Sequence, residues 1–257
     1  MSNSKITNQK PAPKSRKWLW AVIICLVLLA AAGIIVACLH DGGATGPTGT
    51  ATGSFDTVGT TPNVQIGDVE DVSISLGKGL EIINIGSYTG LFMEQGADEI
   101  VSRVLMLVVK NTGDQTVQYG EIQLTDGTIT AGFQVTTLPP GESTVLLELN
   151  KMSYEDGKAL TQASAQNVAM FATEPSLCED RIKIQALEGV LNVTNISGQD
   201  IAGNIVIYYK NSSTDMPYGG ITYRVTISGG LKAGEIRQIT ADHFSAKGSR
   251  VMFITCG

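Results

Sequence analysis

Leu107-Val108-Val109-Lys110-Asn111-Thr112-Gly113-Asp114 returns later in the chain as Leu191-Asn192-Val193-Thr194-Asn195-Ile196-Ser197-Gly198, with one residue inserted before the glycine. Each copy runs from apolar and β-branched residues into Asn and Gly, the composition of a strand that ends in a turn. Three further blocks follow in the same order in both halves. Phe133-Gln134-Val135-Thr136 answers to Tyr223-Arg224-Val225-Thr226, and Leu138-Pro139-Pro140-Gly141-Glu142 to Leu231-Lys232-Ala233-Gly234-Glu235. Met170-Phe171-Ala172-Thr173 answers to Met252-Phe253-Ile254-Thr255. A unit that repeats internally is read before any fold is assigned, because each copy then stands for one structural module.

Working outward, residues 104–110, 205–210 and 221–227 are rich in β-branched and aromatic side chains and are bounded by Gly, Asn and Asp. They read as strands. Pro139-Pro140-Gly141-Glu142 breaks pairing before the next strand, and Gly77-Lys78-Gly79 suits a hairpin turn. A short helix is expected around 158–164. Short strands spaced by turn signals predict an all-β ectodomain of two tandem antiparallel β-sandwich domains, residues 64–175 and 176–257. The 29 glycines and the low charged fraction of 16% agree with strands joined by tight turns.

The run of strand, Asn111-Thr112-Gly113, strand and Leu138-Pro139-Pro140-Gly141-Glu142-Ser143 resembles the immunoglobulin-like modules of bacterial surface proteins, including the FxLYD and CARDB-like types. That resemblance covers the core of each repeat and implies architecture. Such modules serve in adhesins, stalks and accessory subunits, so no single activity follows from it.

Residues 18–39 contain no charge, and about 20 apolar residues cross a bilayer core as one helix. Lys5, Lys10, Lys14, Arg16 and Lys17 precede it, which keeps the 1–17 tail cytoplasmic and exports the rest, while Trp18 and Trp20 suit the interface. The reading is one N-terminal transmembrane helix in the cell membrane, single-pass. A rival lies within it: Ile35-Val36-Ala37-Cys38 resembles a lipoprotein cleavage box, which implies a signal ending at residue 37 and lipidation of Cys38. The Gly/Thr-rich stretch 40–63 reads as a flexible tether.

Residues 1–40 hold five basic and no acidic side chains, leaving 18 − 5 = 13 basic against 24 acidic groups, or −11, beyond them. A surface so negative repels phosphate backbones, so no nucleic-acid partner is expected. Chemistry is equally sparse. His243 alone is available to the ectodomain as a histidine base, no zinc set can be assembled, and no phosphate loop has the right spacing. The acidic clusters 68–71, 94–99 and 179–180 lack EF-hand spacing and read as solvated loop charge, with weak Ca²⁺ binding as the alternative. The expectation is no enzyme, no cofactor and no committed metal residue.

Cys178 and Cys256 bracket the second module; with six alternating strands between them they fall at one pole, which makes them a candidate disulfide. Asn192, Asn195 and Asn211 begin glycosylation sequons but read as turn chemistry. The candidate contact loop is 210–220, carrying Met216 and Tyr218 and flanked by Tyr208, Tyr209 and Tyr223; the alternative is that the tyrosines cap the core. These features predict a membrane-anchored extracytoplasmic binding or structural module with a protein or cell-envelope partner. The alternative is an accessory subunit of a membrane transport or envelope complex.

Overall fold

The computed structural model describes residues 64–257 apart from 97, 98, 214 and 215. The tail 1–17, the segment 18–39 with Cys38, and the tether 40–63 lie outside the described residues. Among the described residues no helix is long and apolar enough to cross a membrane.

The described chain is nearly all β. Its strands are β1 (Gln65–Gly77), β2 (Leu80–Leu91), β3 (Ile100–Asn111), β4 (Val117–Thr125), β5 (Thr130–Leu138), β6 (Ser143–Leu147) and β7 (Gln162–Met170). There follow β8 (Ile182–Leu187), β9 (Val190–Asn195), β10 (Ile205–Ser213), β11 (Met216–Ile227), β12 (Ile236–Thr240) and β13 (Ser249–Cys256). One seven-stranded sheet has the order β1-β2-β3-β6-β11-β10-β13, and two three-stranded sheets run β5-β4-β7 and β12-β9-β8. Pairing is antiparallel except where β6 meets β11 in parallel at Val145 and Tyr218.

Each small sheet packs on one end of the large sheet, as in a β-sandwich. Alternation decides which side chains meet, since successive strand residues face opposite ways. Leu105, Leu107 and Val109 of β3 meet Ile122, Leu124, Phe133 and Val135 in one core. Ile205, Ile207 and Tyr209 of β10 meet Leu191 and Val193 in a second. On the other face of β2, β3 and β6, a third cluster gathers Tyr88, Met106, Val108 and Leu147 under Phe92, Met93 and Tyr218.

The Gly77-Lys78-Gly79 hairpin is present, with Lys78 and Gly79 at φ 49° and 75° closing β1 onto β2. That double positive φ matches the strand twist. The expected helix at 158–164 is corrected: a single helical turn forms earlier, at Tyr154–Gly157. Ser153 caps it by accepting from the Asp156 N–H, whereas Gln162–Met170 alternates in exposure and pairs with β4 as a strand.

The repeated Asn carries the same hydrogen bonds in both halves. Asn111 Nδ2 donates to the carbonyls of Gln115 and Leu138, both at 2.8 Å, and its Oδ1 accepts from the Gly113 N–H. Asn195 Nδ2 donates to Gln199 at 2.7 Å and Leu231 at 3.0 Å, and its Oδ1 accepts from the Ser197 N–H. Both are fully buried. The main chains agree too: Asn111 N–H donates to Glu142 and its carbonyl accepts from Gly141, as Asn195 does with Glu235 and Gly234. The asparagine thus ties its strand end to the Pro-Pro-Gly or Lys-Ala-Gly turn.

The methionine block does not superpose in this way. Phe133 pairs with Ile122 and Ile122 with Ala165, while Tyr223 pairs with Tyr209 and Tyr209 with Val251. Met170 lies 170 − 165 = 5 residues past Ala165, and Met252 lies 252 − 251 = 1 past Val251. The tetrapeptides are alike in composition and four residues apart in register.

Candidate functional site

Where the two sandwiches meet, a groove of about 580 Å³ opens between β4 and β5 on one side and β10, β11 and β13 on the other. Tyr208 lies flat on Phe253, ring centroids 4.1 Å apart and planes 9° from parallel, and Phe171 meets Phe253 edge-on at 5.3 Å. Around this platform stand the amides Gln118 and Gln134, the hydroxyls Thr136 and Thr222, and the guanidinium of Arg224. A flat aromatic face bordered by a few hydrogen-bonding groups is the makeup of a small-ligand site. Arg224 is the only charged side chain among these lining residues.

The groove floor is held by buried polar groups. Lys210, fully buried, donates from Nζ to the Thr136 carbonyl at 2.7 Å and the Gly219 carbonyl at 2.9 Å. Glu94, also buried, accepts from the Leu147 N–H at 2.8 Å and the Gly220 N–H at 2.6 Å. Burial pushes the Glu94 carboxyl up to about 7, against the two N–H bonds and the Lys210 charge. Burial likewise lowers the Lys210 ammonium to about 8, with Glu94 opposing. Thr136 Oγ1 donates to the Gly220 carbonyl and lies 2.8 Å from Thr222 Oγ1. Arg250 adds a two-pronged ion pair to Glu142, at 2.5 and 2.9 Å.

Gly220 allows this closeness. A Cβ there would stand 2.1 Å from the Gln134 carbonyl oxygen and 2.7 Å from Glu94 Oε2. Among the described residues every buried side-chain nitrogen and oxygen has a partner.

The five aromatic and Met candidates of the contact loop do not share one surface. Tyr208 faces the groove. Tyr209, 2% exposed, stacks on Tyr223 at 5.4 Å and meets Phe244 edge-on within the second core. Met216 and Tyr218 pack in the third cluster. Alternation explains the split, because Tyr208 and Tyr209 are neighbours and face opposite sides of β10. His243 stacks on Tyr223 at 5.0 Å in the loop after β12.

The cysteines come together. Cys178 and Cys256 are free thiols, the Cys178 Sγ donates to the Ile254 carbonyl at 3.4 Å, and Ile254 N–H reaches the Ser176 carbonyl at 2.8 Å. Burial, then a hydrogen bond to Cys178, pushes the Cys256 thiol up to about 11.

Two acidic clusters depart from the expectation in part: residues 68–71 are solvated but not in a loop, and among the described residues of 94–99 Glu94 alone is buried while Glu99 is exposed. Asp68, Glu70 and Asp71 lie within strand β1, and Glu94 is a buried anchor instead of solvated loop charge. Among the described residues no three His, Cys, Asp or Glu side chains converge as metal ligands. Of the sequon asparagines, Asn195 serves a turn, whereas Asn192 and Asn211 sit inside β9 and β10. Sequence reasoning missed Lys210, whose full burial depends on an acceptor 74 residues away. Comparison with known proteins gives no matching family model, no matching curated protein and no matching solved structure.

Proposed function

We propose that the chain is a non-enzymatic binding protein, held in the membrane through residues 18–39, with two immunoglobulin-like sandwiches on the extracytoplasmic side. Its ligand occupies the groove between them. The observation that carries the reading is the stack of half-buried Tyr208 on buried Phe253 that lines the groove, bordered by amides, hydroxyls and the Arg224 guanidinium. Stacked rings with amide and hydroxyl neighbours and a single guanidinium suit a hydroxyl-bearing ring, and a cell-envelope sugar is the ligand class of that chemistry. The buried Lys210 and Glu94 set the groove's width by fixing β11 against β5 and β6.

The test is retention of full-length protein, in detergent, on purified envelope polysaccharide. Tyr208→Ala is expected to weaken retention about tenfold or more. Equal retention by wild type and variant on every polysaccharide tried would remove the groove as the site. Replacing residues 18–39 by an unrelated anchor separates the alternative: a binding module keeps its activity, and an accessory subunit of a membrane complex loses it. Intact mass from membranes reads the processing, since cleavage before Cys38 removes 37 residues.

A further inference from the structure

The large sheet is closed at one end by β1, and the small sheet of the second sandwich ends instead on β8. These two edges correspond. Leu80 of β2 stands opposite Asn111, and Ile182 of β8 stands opposite Asn195, the two asparagines with identical hydrogen bonds. Along β2 runs β1, pairing Ile74 with Ile82 and Gly77 with Leu80. Its Val72, Ile74 and Leu76 pack into the first core beside Ala165 and Val168 of β7.

Among the described residues no such strand runs along β8. The chain before β8 turns at Cys178, whose carbonyl accepts from the Arg181 and Ile182 N–H groups, and Ser176 then lies against β13. The seat that β1 fills in the first sandwich is therefore open in the second. A largely apolar groove of about 330 Å³ remains, walled by Ile182 and Ile184 of β8 and by Val251 and Ile254 of β13, with Glu179 and Lys183 also on its lining. Leu177 and Ile196 stand at its rim, 39% and 48% exposed.

The two edges are also guarded differently. β1 carries Asp68, Glu70 and Asp71 and is broken by shifts in register, devices that discourage further pairing. β8 reads Ile-Lys-Ile-Gln-Ala-Leu, with a single charge and an unbroken register to β9. A mostly apolar edge with one lysine and no bulge is a template for an added strand.

We infer that the β8–β13 groove accepts an extended strand from another protein, carrying apolar side chains at three alternating positions as β1 does. Of the chain's own residues outside the described structure, 40–63 contains no run of apolar residues at i, i+2 and i+4, and the apolar run 18–39 is taken up by the membrane on the reading proposed above, on which this exclusion rests. A second copy's β8 is no better, because its Ile182 and Ile184 already point into its own core. The site lies apart from the junction groove and stands independently of it.

The probe is the chain's own β1 segment as a synthetic peptide, Glu-Asp-Val-Ser-Ile-Ser-Leu-Gly, carrying a photoreactive group and offered to the full-length protein in detergent. Saturable binding with crosslinks on β8 is expected. Leu177→Lys and Ile196→Lys, both at exposed positions that leave the core intact, are expected to weaken it about tenfold. Tyr208→Ala is expected to leave it unchanged, which separates this site from the junction groove. Binding no tighter than a scrambled peptide, crosslinks on β2 instead of β8, or indifference to both lysine variants would each overturn the inference.

Discussion

Lys210→Met isolates the charge that holds the junction. Methionine keeps the length of the stem and leaves little cavity, so the change falls on the Thr136 and Gly219 carbonyls that Nζ serves. Each buried acceptor left unpaired costs about 1–3 kcal/mol, giving about 2–6 kcal/mol for the pair. Glu94 softens the loss of its counter-charge, because a carboxyl already pushed up to about 7 takes a proton readily. About 4 kcal/mol is the expected centre, within the range for breaking buried charge pairs. At about 2–4 °C per kcal/mol for a chain of this size, the melting midpoint falls by about 8–16 °C. Urea unfolding at pH 7 gives the free energy directly, and the cycle with Glu94→Gln gives the coupling. A loss below about 1 kcal/mol, or strictly additive single variants, would refute the assignment of Lys210 as the junction anchor.

Stability should also depend on pH through the same groups. Glu94 titrates near 7 folded against 4.5 unfolded, so its contribution is full below about 4.5 and is lost as pH rises through 7. The difference of 7 − 4.5 = 2.5 is worth about 3 kcal/mol, readable by urea titrations at pH 5 and 7.5, and Glu94→Gln should flatten it. Lys210 acts in the other direction, adding stability between about 8 and 10.5 as pH rises. Asn195→Asp should destabilise more than Asn195→Ala, itself costing about 3 kcal/mol, because a carboxylate cannot donate to the Gln199 and Leu231 carbonyls; thermal melts rank them. Gly220→Ala forces a Cβ onto the Gln134 carbonyl and should cost about 3 kcal/mol, with calorimetry showing the single transition broadening as the sandwiches part. Mass spectrometry of exported protein should show a gain of about 2 Da on reduction, the mark of a Cys178–Cys256 bridge made in an oxidising compartment.

Strand content was legible because it is local: β-branched runs bounded by Gly and Asn need no distant partner, and the Lys78-Gly79 turn declares itself by residue type. What could not be read was set by pairs far apart in sequence. Asn111 and Asn195 looked like turn residues, and they are, yet their main task is to reach Leu138 and Leu231, 27 and 36 residues on. The sequence left Tyr208 and Tyr209 together as contact residues or core caps; on a strand such neighbours face opposite ways, and which one turns inward depends on the sheet laid over β10. Glu94 lies in an acidic stretch whose composition points to solvent, yet burial of a carboxylate is decided by the N–H groups of Leu147 and Gly220 and not by its neighbours in sequence. The parallel meeting of β6 and β11, which merges two sheets into one, leaves no local signature at all.

The way β1 is joined has a mechanical consequence. The described chain enters β1 at Gln65, the open end of the β1–β2 hairpin, where Gln65 pairs with Thr89. On the proposed attachment through residues 18–39, tension between a bilayer and a ligand held elsewhere on the molecule would load this hairpin as a zipper, breaking its pairs one after another from Gln65 towards Gly77 instead of shearing them together. The edge strand is the part of the sheet that yields first under load. Its departure would uncover the seat of Val72, Ile74 and Leu76, so on the inference drawn for the β8–β13 groove a pulled molecule would offer two strand-accepting grooves where a relaxed one offers one.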